Sequence, residues 1–128
     1  MRKIFLILIL IFFLNINFSP FSEQEDILKK ADLLLDMMEY ESAINYYKKI
    51  LLKNPNIRDI RKKIGYAYFQ LKKVNEALKY LEQELIVFPD NEDAYDLLVY
   101  ILYKLNRVEE ARGLFPAVFS NFIVMKLH

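Results

Sequence analysis

Residues 64–81 read IGYAYFQLKKVNEALKYL, helical in pattern throughout apart from one glycine at position 65. Ile64, Tyr68 and Leu71 share one face at i, i+4, i+7; after a polar break at Lys72 and Lys73, Ala77, Leu78, Leu81 and Leu85 form another. The segment therefore encodes two consecutive amphipathic helices, closed by Pro89, which lacks an N–H and clashes with the preceding turn. Glycine inside a helix costs about 1 kcal/mol relative to alanine. Gly65 therefore needs a packing reason.

Working outward, the same spacing recurs. Pro55 and Pro89 are 34 residues apart, as are Ala43, Ala77 and Ala111 in turn. Ala31, Gly65 and Val99 keep this period, as do Tyr47, Leu81 and Phe115, and Leu34, Tyr68 and Leu102. Three units follow, 24–57, 58–91 and 92–125, the last irregular after Gly113 because Gly113 and Pro116 fall inside its expected second helix. Start signals agree with this division. Ser22 and Glu25 read as a capping box before the first helix, Asn56 precedes the third, and Asp90 and Asn91 precede the fifth. Acids gather in the expected first turns (Glu23, Glu25, Asp26; Asp59; Glu92, Asp93), facing the positive end of each helix dipole.

A helix-turn-helix period of 34 residues with these small, aromatic and proline positions resembles the tetratricopeptide repeat. The resemblance implies an all-α, right-handed solenoid of about three helix pairs over residues 23–128. The small positions Ala31, Gly65, Ala43, Ala77 and Ala111 would meet where paired helices cross, with Pro55 and Pro89 ending the units. The first helices of such pairs line a concave groove that holds a peptide or helix of another protein. Carried onto this sequence, the lining is Glu25, Leu28, Asp32, Leu35 and Asp36; then Asp59, Lys62, Tyr66, Phe69 and Gln70; then Asp93, Asp96, Tyr100, Tyr103 and Lys104. Acids and aromatics dominate this set, which suits a partner with basic and apolar side chains. The first-turn acids Glu25, Asp59 and Asp93 read primarily as caps. Family members that grip a chaperone's C-terminal carboxylate use Lys and Asn here. This chain has Leu28, Asp32, Lys63, Tyr66, Asp93 and Leu97, so that activity is not expected.

The N-terminal residues stand apart. Arg2 and Lys3 precede an unbroken apolar run, Ile4 to Leu14, followed by Asn15, Asn17 and small residues at Ser19 and Ser22. This is the layout of a secretory signal over residues 1–22, cleaved, or retained as an anchor with membrane contact through residues 4–18. The chain is expected to be exported, periplasmic or extracytoplasmic, or held at the inner membrane. Without residues 1–22 there remain 16 basic and 17 acidic residues, so no global field points to nucleic acid. There is no cysteine, which excludes a disulfide framework and a thiolate zinc site. The lone histidine is His128 and the two glycines stand apart, so neither a His-based acid–base site nor a phosphate loop is expected.

The functional expectation is a non-enzymatic scaffold without cofactor or metal. The alternatives are a membrane-anchored assembly subunit that recruits partners, and an enzyme using groove carboxylates such as Asp32 and Asp36. The apolar C-terminus PAVFSNFIVMKLH is a second candidate contact surface, for self-association, for a partner, or folded back on the third unit.

Overall fold

The computed structural model describes residues 1–16 and 20–114. Seven α-helices and no strands occur among them: α1 (Arg2–Ile16), α2 (Pro20–Asp36), α3 (Tyr40–Lys53), α4 (Ile60–Gln70), α5 (Val74–Val87), α6 (Glu92–Lys104) and α7 (Val108–Leu114). From α2 onward they pair as the sequence period requires. α2 packs on α3, α4 on α5 and α6 on α7, while α3 meets α4, α5 meets α6, and α4 touches α6 across the stack. Helix α7 runs through Gly113 to Leu114. Phe115, Pro116 and the apolar tail lie outside the described residues, as does the packing of Ala111.

Each helix pair turns in the same way. Glu39, Lys73 and Arg107 donate their N–H groups to the carbonyls of Leu34, Tyr68 and Leu102 at 2.8–2.9 Å. The residues before them, Met38, Lys72 and Asn106, are left-handed at φ 62°, 63° and 56°. This double closure is the Schellman motif, which usually puts glycine at the left-handed position. None of the three turns does so here, and the period of 34 is preserved in the backbone rather than in the residue type.

The core is a continuous stack. Ala31, Ala43, Ile44, Tyr47, Ile50, Ile60, Ile64 and Ala67 form its first half. Ala77, Leu78, Leu81, Leu85, Ala94, Tyr95, Leu98, Val99, Ile101 and Leu102 form its second, and Tyr68 packs against both halves. A fully buried Leu or Ile is worth about 1.5–3 kcal/mol, so no single pair buries enough to stand alone.

Gly65 sits where α4 crosses α5. A Cβ built on it lies 2.9 Å from Leu81 Cγ and 3.2 Å from the Ala77 carbonyl oxygen. The missing side chain is what lets the two backbones meet, which is the packing reason the sequence required.

Two helix starts differ from expectation. Helix α2 begins at Pro20, so Ser22 is already helical and does not open the helix as a capping box. Helix α4 is preceded by Asp59, not Asn56; the Asn56 N–H is turned onto the Asn54 side chain at 3.2 Å. Asn91 caps α6 as expected, accepting from the Ala94 N–H at 3.2 Å.

Helix α1 is solvent-exposed along its apolar length from Ile4 to Leu14. Its 15 residues rise about 22 Å, short of a hydrocarbon core of about 30 Å. Among the described residues no helix is long and apolar enough to cross a membrane.

Two outcomes are expected from this packing. Gly65→Ala lowers stability despite its helix-propensity gain, and Gly65→Leu costs about 1–3 kcal/mol through overpacking; urea midpoints measure both, and a rise for Gly65→Ala contradicts the crossing. Lys72→Gly stabilises the fold by up to about 1 kcal/mol and so raises the melting temperature, because relief of left-handed strain exceeds the added unfolded-state entropy. Calorimetry checks its sign.

Candidate functional site

The first helices α2, α4 and α6 bring the proposed lining residues together. The aromatic ones form a ladder across α4 and α6, reached by Tyr40 of α3. Tyr40, at the start of α3, meets Tyr66 edge to face with centroids 6.4 Å apart. Tyr66 and Phe69 are one turn apart on α4, and Phe69 meets Tyr100 of α6 edge to face at 6.1 Å. Tyr103 follows one turn on, and Lys104 Nζ lies 5.5 Å from the Tyr100 ring centre. Such ring pairs are worth about 0.5–1.5 kcal/mol beyond burial, which holds the rings in place. They remain accessible all the same: Tyr66, Tyr100 and Tyr103 are 38%, 46% and 64% exposed.

The acids behave differently from the aromatics. Asp32 accepts from the Tyr47 hydroxyl and from Lys63 Nζ at 2.7 Å. Burial, then the bond to Asp32 and its charge, push the Tyr47 phenol far above its ordinary value, so it stays a donor. Asp32 thus joins α2, α3 and α4. Lys62 lies 3.1 Å from Asp59 and 3.5 Å from Asp93, tying the starts of α4 and α6 together. Glu25 pairs with Lys29 at 3.0 Å. Glu25, Asp32, Asp59 and Asp93 of the expected lining are therefore engaged within the chain, and Asp36 and Asp96 are exposed residues of the same helices α2 and α6. Leu28 and Leu35 are half-buried against the first half of the core, and Gln70 is half-buried beside Phe69.

One cluster was not singled out from the sequence. Glu84 on α5 is fully buried. Its Oε1 accepts from the Asp59 N–H at 2.7 Å and from Asn91 Nδ2 at 2.8 Å, and Asn91 Nδ2 also donates to Asp59 Oδ1 at 3.0 Å. A signal existed: the period places Glu84 at the position of Ile50, so a carboxylate stands in an apolar register. Beside the cluster, Arg58 bonds Asp90 Oδ1 at 3.0 Å.

Asp59 carries the pH dependence of this joint. Desolvation raises its carboxyl, but the bonds from Asn91 and Lys62, with the Lys62 and Arg58 charges, outweigh it and hold the group below the usual carboxylate range. A depressed folded pKa contributes stability above the unfolded value, lost as pH falls through the folded one. Wild type should exceed Asp59→Asn in urea midpoint at neutral pH, with the gap closing below about pH 4. Parallel midpoints across that range contradict the assignment.

The family model described as tetratricopeptide repeat matches residues 28–85 and again 63–118, together well over half of the chain. No curated protein matches. A solved structure of a MamA mutant superposes with a TM-score of 0.58 at 21% identity, covering 67% of this chain and 50% of that one. This chain thus spans about half that structure's length, and the likeness is one of fold. Period, turn closure, small-residue crossing and family match agree: the chain belongs to the tetratricopeptide repeat family.

Proposed function

We propose that this protein is a non-enzymatic scaffold of the cell envelope whose first-helix groove holds a segment of another protein on the aromatic ladder. Proteins of this family generally bind other proteins and are not enzymes. The observation that carries the groove reading is the ladder itself. Tyr66, Phe69, Tyr100 and Tyr103 run across two repeats: Tyr66, Phe69 and Tyr100 make ring contacts, the half-buried Phe69 anchors the row to the core, and the three tyrosines stay open to solvent. Rigid aromatic surface of this kind offers large contact area at low entropic cost.

The occupant is an extended or helical segment with apolar side chains facing the ladder. A basic side chain fits at one end, toward the exposed Asp36. Its recognition rests on shape and apolar contact more than on charge, because Asp32, Asp59 and Asp93 are spent on lysines of this chain. Export to the envelope is supported by the Arg2–Lys3 start and by an exposed apolar helix that packs no core.

A photo-crosslinking residue at Tyr103, in protein kept in its native envelope, should capture the partner, whereas one at Lys79 on α5 should not. Tyr66→Ala with Tyr100→Ala should weaken capture by at least about 2 kcal/mol, roughly thirtyfold, with helix content unchanged. Undiminished capture by that double variant removes the groove as the site.

A further inference from the structure

The two joints between repeats differ at equivalent positions. At the first, the period aligns Glu25, Ile50 and Ile57; at the second, Asp59, Glu84 and Asn91. In the first set Glu25 points to Lys29, while buried Ile50 and half-buried Ile57 pack in the core. In the second, both isoleucines are replaced by polar residues that bond each other. Two apolar positions have thus changed character together, and the replacements satisfy one another.

The polar set joins three elements. Glu84 Oε1 receives the main-chain N–H of Asp59, the residue that precedes α4 with φ 70°. A non-glycine residue in that conformation persists only where its surroundings over-determine it. The same oxygen receives Asn91 Nδ2, while Asn91 Oδ1 caps α6. One carboxylate oxygen at the end of α5 therefore sets where both α4 and α6 begin. Its other oxygen, Oε2, is buried without a hydrogen-bond partner among the described residues. Apolar packing at this place is often as stable as a buried charge or more so, so stability alone does not account for the glutamate.

We propose that Glu84 is a positioning residue: it fixes the spacing of α4 and α6 and with it the width of the aromatic groove. The inference rests on the groove reading for its function, but its geometry is measured without any partner. Tyr66 and Phe69 ride on α4, and Tyr100 and Tyr103 on α6, so a change of spacing at the helix starts carries through to the ladder.

The chain has no cysteine, so an introduced pair is unique. Asp36→Cys with Lys104→Cys places nitroxide labels at the far ends of α2 and α6, two periods apart and remote from Glu84. Pulsed dipolar spectroscopy of the full chain should give one narrow distance. Glu84→Ile, which restores the register of Ile50, should shift or broaden it by several ångströms while circular dichroism keeps its helix signal. Asn91→Ser retains a side chain that caps α6 but loses the bridge, and should do the same even if Glu84→Ile fails to fold. Glu84→Gln keeps an acceptor oxygen and should preserve the wild-type distance. An unchanged distance in Asn91→Ser overturns the proposal, as does a shift in Glu84→Gln equal to that in Glu84→Ile. Loss of groove capture by the tyrosine variants is a separate reading, unaffected by either result.

Discussion

The close approach of α4 to α5 at Gly65 is the constraint on which the stack depends. An added Cβ there meets Leu81 Cγ and the Ala77 carbonyl, so backbone and side chain interlock with no spare volume. That crossing lets Leu81 and Leu85 sit in the same buried layer as Leu98, Ile101 and Leu102. It also settles which face of α4 turns outward. With Ile60, Ile64 and Ala67 committed to the core, Tyr66 is left on the open side. A helix-propensity loss of about 1 kcal/mol is small beside the layers of side chains that the crossing allows to close.

The second organising feature is how the charges are used. A groove rich in acids reads, from composition, as a site for basic partners. In the folded chain those acids hold repeats together: Asp32 through Tyr47 and Lys63, Asp59 and Asp93 through Lys62. Exposed ion pairs contribute little stability individually. Their effect here is directional, because each joins a particular pair of helices. In the proposed groove, what faces outward is then mainly aromatic, which would favour shape and apolar contact over charge complementarity.

The two joints solve the same problem with different physics. The first closes on isoleucines, which pack without directional demands. The second closes on Glu84 and Asn91, whose hydrogen bonds require particular distances and angles. Dispersion and burial tolerate small slides between helices, whereas a carboxylate that serves two donors does not. The ladder contact between Phe69 and Tyr100 spans the second joint, where α4 meets α6 and the stricter closure lies.

The sequence by itself determined the all-α class, the period of 34, the helix pairs and the meaning of Gly65, because side-chain periodicity and a repeated register are local properties. Alignment to the period also assigns Tyr66 and Phe69 to α4 and Tyr100 and Tyr103 to α6, since it places residues on a helix. Tertiary structure decided the rest. Whether Asp32 faces a ligand or Lys63 depends on residues 31 positions apart meeting in space. The left-handed start at Asp59, in place of a cap at Asn56, depends on Glu84 from another helix taking its N–H. Local propensity carries no information about such partners, which exist only after the helices have stacked.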